Sequence, residues 1–278
     1  MASAKSGLSW IRHGLLMIGG AIVVTVLLSA AFADWITPFS PYDLDVATML
    51  QGPSPIHRFG TDELGRDVLS RTIVAARISV EVALVAVSVG ALGGTVIGVL
   101  AAYIGGATDV LLMRLMELLF SFPAILLAIV LMASLGANIL NAMIAIAIIF
   151  IPGFARLARA STRETLHQQY IEAARAVGMS HLRILAREIL PNVVTPLLVE
   201  AAVAFAYAVL LESALSFLGL GAEPPEPSWG NMLNTGRGFL IQAPWLSIVP
   251  GMALFFCVLG FNLLGDGLRD MLDPHLRD

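Results

Sequence analysis

The chain has 278 residues, is 58% hydrophobic and only 13% charged, and has a mean hydropathy of +0.85, which excludes an ordinary soluble domain. Its formal charge of −4 says little about orientation, because sidedness depends on where Lys and Arg lie. Cys257 is the single cysteine and Lys5 the single lysine, which excludes an internal disulfide, a cysteine-based metal site and a GxxxxGK[ST] phosphate loop.

Residues 14–36 hold the first expected membrane span, behind a short N-terminal segment of residues 1–13. Ala31-Phe32-Ala33 before Asp34 has the form of a signal-peptidase site, but the apolar run is long for a signal and reads as an uncleaved span. Residues 37–77 form a polar connection broken by Pro38, Pro41, Pro53 and Pro55. Within it, Asp62, Glu63 and Asp67 offer oxygen ligands, yet their spacing is not that of a calcium loop. Thr61 or Asp62 reads instead as a helix cap with acidic residues in the first turn.

Residues 78–266 read as a core of five further spans, giving an all-α membrane protein with six transmembrane helices. The second span, Ile78 to Tyr103, carries Gly90, Gly94 and Gly98 at four-residue spacing, which lets helix backbones approach closely; a permeation role is the lesser reading. Gly105-Gly106 turns the chain and Asp109 is placed to cap the next helix. The third span, Val110 to Ala133, holds Arg114 and Glu117 within pairing distance and a kink at Pro123. The fourth runs from Asn138 to Leu157, with Pro152-Gly153 near its end.

Tyr170 to Asn192 is the longest polar stretch between the apolar runs. It predicts a short helix over Ile171–Val177, a turn at Gly178 and a second helix over Leu182–Leu190, stopped by Pro191. The fifth span, Val193 to Leu215, contains Glu200 and Glu212. Twelve residues apart, they differ by about 120° of helical rotation and share no face. Each is a candidate for the translocation path, either as a polar contact between spans or as a proton site. Phe217 to Gln242 is too rich in Pro and Gly to span, and Trp229 and Trp245 fit interfacial anchors. The last span, Pro244 to Leu264, leads to a polar tail, 267–278.

Six spans place both termini on the side of the loop at about 159–191. That side carries ten Lys and Arg residues against five opposite, which predicts that the loop and both termini are cytoplasmic. No HExxH, GxSxG, dinucleotide fingerprint or zinc spacing occurs, and the five histidines are scattered, so no catalytic or metal residue is assigned.

Glu172-Ala173-Ala174, then Gly178, then Ile189-Leu190-Pro191-Asn192, resembles the EAA signature of type I ABC importer permeases. Glu188 departs from the His or apolar residue common before that last group. The resemblance implies that the loop is a coupling helix seated in a cleft of a cytoplasmic ATPase. Glu172, Ala173, Ala174, Gly178, Met179, Ser180, His181, Leu190 and Pro191 would then form the coupling site. GTDELGRDVLSR at 60–71, FLGLGAEPPEPSWGNML at 217–233 and the ending GDGLRDMLDPHLRD are similar to the second ("C") permease subunit of the dipeptide/oligopeptide/nickel family. This implies a bacterial inner-membrane complex of two homologous permeases, two ATPases holding ATP and Mg, and an extracytoplasmic binding protein. No cofactor falls to this chain, and no nucleic acid is expected. Glu223, Glu226 and Trp229 are the candidate contacts for the binding protein. The substrate implied is a di- or oligopeptide, with nickel or another small solute as the alternative. An ion-coupled secondary transporter built on Glu200 or Glu212 is the alternative from another class; a membrane scaffold without transport is a third.

Overall fold

The computed structural model describes residues 2–272, with side chains described for 14–271. Among the described residues eleven α-helices occur in order: α1 (Ala2–Ala31), α2 (Ala33–Ile36), α3 (Val68–Ile104), α4 (Gly106–Phe120), α5 (Ala124–Leu135), α6 (Ile139–Leu166), α7 (Gln169–Ala176), α8 (His181–Ile184), α9 (Leu190–Phe217), α10 (Trp229–Gly236) and α11 (Trp245–Leu272). Among the described residues there is no β-strand, only an isolated bridge between Thr61 and Asp67. Five helices are long and apolar enough to cross a bilayer, and α4 with α5 makes a sixth crossing if that bent pair counts as one. The fold is therefore an all-α membrane bundle.

Its centre is the pair α3 and α6, which make the most extensive helix contact among the described residues. The reason lies in the glycine spacing. A β-carbon at Gly94 would sit 2.6 Å from the Ile151 carbonyl oxygen, and one at Gly98 would collide with that of Ala155. Without side chains at those points the two backbones meet directly, and Phe154, Ala155 and Ala158 of α6 are buried. With 37 residues, α3 is about 55 Å long. That exceeds a hydrocarbon core of about 30 Å, so both its ends project. The first span joins the bundle by the same device, since a β-carbon at Gly260 would lie 2.6 Å from Ile22 and one at Gly267 would lie 2.6 Å from Leu16.

Several boundaries differ from the sequence reading. Helix α3 starts at Val68, so the expected connection over 37–77 loses its last ten residues to the helix. The cap is Asp67, whose carboxylate accepts from the Ser70 N–H at 2.8 Å and from its hydroxyl at 2.8 Å. Thr61 and Asp62 are committed elsewhere: Thr61 bonds Thr48 and Gln51, and Asp62 holds Arg66 at 2.6 Å. The expected kink at Pro123 is a full break, with α4 and α5 at 90°. Asp109 caps nothing; it lies inside α4, buried, and faces α6. Pro152 sits within α6, which continues through the arginine run to Leu166. Pro191 does not stop the preceding helix either. A wide π turn over Leu185–Ile189 lets the chain run from α8 into α9 with Pro191 in its first turn, where no amide N–H is required. Helix α11 extends into the expected tail as far as Leu272. Lys5, Arg12 and Arg277, which contribute to the expected sidedness, lie outside the residues with described side chains.

The glycine contact has a direct test. Gly98→Leu is expected to destabilise the detergent-solubilised protein by about 1–3 kcal/mol or to block assembly, because overpacking cannot be relieved against backbone. At Gly93 an added β-carbon meets only Ile151 side-chain atoms at 3.6 Å, so Gly93→Ala should leave the melting temperature within a degree or two. Equal melting temperatures for Gly98→Leu and Gly93→Ala would contradict the packing argument.

Candidate functional site

At one end of the bundle the stretch from Tyr170 to Asn192 folds into α7, a tight turn, α8 and the π turn. Helix α7 buries Ile171 and Ala174 and leaves Glu172 and Ala173 exposed. It ends in a paired set of bonds, Gly178 N–H to Arg175 C=O at 3.0 Å and Met179 N–H to Ala174 C=O at 3.0 Å. Gly178 has φ +75°, and a β-carbon there would meet nothing within 4 Å. Backbone conformation, not space, therefore selects glycine. The turn carries Val177 and Leu182 outward at 80% and 79% exposure, apolar side chains standing in the open beside Ser180 and His181. Leu190 and Pro191 are exposed at the start of α9.

One hydrogen bond ties this surface to α3, and further polar contacts brace the stretch itself and the helices beside it. The Tyr103 hydroxyl, at the end of α3, shares a 2.6 Å hydrogen bond with His181 Nδ1. Asn192 donates to Tyr170 at 3.2 Å and to the Glu188 carbonyl at 2.6 Å, which closes the stretch end to end. Beside it, Asp109 accepts from Arg159 at 2.5 and 2.7 Å and from Arg163 at 2.5 Å, tying α4 to α6.

At the opposite end the segments over 37–67 and 218–244 close over the helices. Trp229 is 2% exposed and donates from its indole to the Thr72 carbonyl at 3.0 Å. It is neither an interfacial anchor nor an outward contact; it pins α10 onto α3. Trp245 likewise donates to the Thr61 carbonyl at 3.1 Å. Glu223 and Glu226 are exposed, and Glu226 accepts from the Tyr42 hydroxyl at 2.9 Å. Partial burial and the carboxylate beside it raise the Tyr42 hydroxyl above its ordinary pKa, so it stays a donor.

The two carboxylates of α9 have opposite surroundings. Glu212 is 1% exposed and accepts hydroxyl bonds from Ser79 at 3.0 Å and Ser216 at 2.7 Å, with Ser213 at 3.4 Å. Glu200 is exposed in the isolated chain and lines a cavity of about 370 Å³ between the α4–α5 break, α6 and α9. The structure does not bring the two together.

Residues 94–278 match the family described as binding-protein-dependent transport system inner membrane component. The chain belongs to that family. Residues 9–53 match the N-terminal TM domain of oligopeptide transport permease C. The chain is 42% identical to the dipeptide transport system permease protein DppC of Alkalihalophilus pseudofirmus, over 96% of this chain and 88% of that one. It is 45% identical to the glutathione transport system permease protein GsiD of Escherichia coli O6:K15:H31, over the same shares of each chain. A solved structure described as a crystal structure of an amino acid ABC transporter with histidines shares the fold, with a TM-score of 0.56 and 18% identity over 71% of this chain and 92% of that one.

As an ABC importer permease the chain is a multi-pass inner-membrane subunit, and the subunit is not itself catalytic. Its described residues include contacts that sequence reasoning missed. Tyr103 gave no signal and Asp109 read only as a cap, because their partners lie 78 and 50 residues away. Ser216 was findable: it stands four residues after Glu212, one helical turn along the same face.

The enclosure of Glu212 separates a structural from a proton-carrying role. Glu212→Gln keeps an acceptor, and the serine hydroxyls can rotate to meet its amide, so stability should fall by less than about 1 kcal/mol. Glu212→Ala leaves those hydroxyls without their acceptor beside a cavity and should cost about 2–4 kcal/mol. Uptake by Glu212→Gln should persist. Lost uptake at unchanged melting temperature would assign Glu212 to transport.

Proposed function

We propose that this chain forms half of the translocation pathway of an ATP-driven importer for short peptides, with the Tyr170–Asn192 surface docked on an ATPase subunit. The observation that supports the coupling role best is the projecting α7–α8 turn. It exposes Val177 and Leu182 to solvent while Tyr103 and His181 tie its base to α3. An exposed apolar pair on a rigid, hydrogen-bonded base is suited to a cleft in a partner. The peptide reading is supported by relatives named for dipeptide and glutathione transport, both of which carry peptide substrates by name.

In this reading the Tyr170–Asn192 end and both termini are cytoplasmic, and the ends of α3 and α10 face the binding protein. A second homologous permease completes the pathway, and two ATPase subunits hold ATP and Mg. Closure of the ATPase pair moves the α7–α8 turn. Two routes carry that motion: the Tyr103–His181 bond into α3, and the unbroken run from α8 through the π turn into α9. Because α3 and α6 meet backbone to backbone, they move together, and the pathway alternates between two packed arrangements. ATP drives the exchange only through its different affinity for the two states. Exposed Glu223 and Glu226 offer acidic contacts to the binding protein; Trp229 supports them from within.

The assembled complex in lipid vesicles tests this. Pull-down of the tagged chain should recover a second permease and ATPase subunits, and loaded binding protein should raise ATP hydrolysis. Gly178→Pro cannot adopt φ +75° and removes the donor to Arg175, so the turn must re-form. With Glu172→Lys as a second variant, ATP hydrolysis should continue while peptide uptake falls at least about tenfold, a loss of about 1.4 kcal/mol of coupling. Normal uptake in both variants would remove the coupling role from this surface.

A further inference from the structure

The cavity at the α4–α5 break has one charged residue in its wall, Glu200, and Glu200 has no hydrogen-bond or ion-pair partner among the described residues. Gly153, in the same wall, lies about one turn before Arg156, toward the end of the fourth apolar run, and Glu200 stands about two turns inside the fifth. An unpaired carboxylate is costly against lipid at that depth, which places this face toward water or a charged occupant. Half of the remaining wall is aromatic, including Phe120, Phe122, Phe150 and Tyr207, the last two edge to face at 6.1 Å between centroids, and aliphatic Leu119, Leu127 and Ile149 stand beside them. Ring faces attract cations. Phe120 already holds one, the Arg156 guanidinium lying 3.8 Å from its centroid.

A carboxylate among aromatic rings matches an organic cation better than the alternatives. A metal ion needs about six oxygen ligands, and this wall offers one carboxylate and one phenol. An apolar helix packed into the cavity would seal Glu200 away without a counter-charge. The volume of about 370 Å³ lies within the range of about 300–1,000 Å³ common to small-molecule sites.

We infer that this cavity is a transit site for the amino-terminal end of a short peptide, its α-ammonium paired with Glu200 and its first side chain against the rings. The inference rests on the peptide-import reading above and adds a binding site to it. A single charge-assisted contact is also weak enough to release its cargo, as a transit site requires.

Gly153 provides the reporter, because a β-carbon there meets nothing within 4 Å and a cysteine fits without displacing a neighbour. The test uses Gly153→Cys with Cys257→Ala in the complete transporter in lipid vesicles, with maleimide labelling of this chain read by mass. Leu127→Cys, from another wall of the cavity, serves if Gly153→Cys does not assemble. Millimolar dialanine should slow labelling several-fold, and N-acetyl-dialanine, which lacks the ammonium, should not. Adding Glu200→Gln should raise the half-protecting dialanine concentration about tenfold, the loss expected of one charge-assisted bond. Labelling indifferent to dialanine, in a complex that imports dialanine, would overturn the site. So would a cysteine that never labels because the second permease covers it. Failure of the unmodified complex to import dialanine would instead overturn the peptide reading beneath the inference.

Discussion

The direct meeting of α3 and α6 backbones is the constraint on which the rest of this permease depends. In lipid, apolar side chains gain nothing by leaving their surroundings, so helices associate through close packing and polar contacts. Gly94 and Gly98 bring the α6 carbonyls of Ile151 and Ala155 to where side chains would otherwise stand. That contact fixes the position of α6 and with it Gly153 and Phe154 in the wall of the cavity at the α4–α5 break. It also holds a helix long enough to emerge from both faces of a bilayer. At one end α3 offers Tyr103 to His181; at the other, the Thr72 carbonyl receives Trp229. One rigid element thus reaches both surfaces where partners are proposed to bind.

Three prolines show which parts of this fold could be read in the sequence. The chemistry is the same at each: a missing N–H and a restricted φ. At Pro123 the chain breaks by 90°, at Pro152 the helix carries on, and at Pro191 a π turn precedes it and the helix also carries on. Local rules say that something must yield; neighbouring helices decide what. Pro152 is buried within a helix packed against α3, whereas Pro123 lies exposed between α4 and α5. The start of α3 teaches the same lesson. Thr61, Asp62 and Asp67 are all able to cap, and the choice is settled by contacts with Thr48, Gln51 and Arg66 that no short-range pattern contains.

Features set by the backbone alone were legible. Gly178 reads as a turn from its neighbours, and its positive φ needs no distant partner. The four-residue glycine spacing reads as close packing whichever helix meets it. Burial was not legible. Trp229 has the composition of a surface anchor and lies inside, at the start of the capped helix α10, where its indole bonds the Thr72 carbonyl 157 residues away in sequence.

The contrast between Glu200 and Glu212 links this packing to function. Both are carboxylates on α9, separated by about 120° of rotation. Glu212 faces α3, where Ser79 reaches it, and its serine contacts satisfy the oxygens at the point where the segment after α9 folds back. A carboxylate so enclosed links α3 to α9 through Ser79. Glu200 faces away from that contact, toward the gap opened by the break at Pro123. If α4 and α5 formed one straight helix, no recess would lie there for the charge to occupy. The break that costs the third span its continuity therefore creates the recess around Glu200, and the Ser79–Glu212 contact holds α9 in the rotation that keeps Glu200 in it. Motion delivered to the base of α9 through the π turn would reach Glu200 before Glu212, so the recess lies between the moving end of the helix and its fixed end.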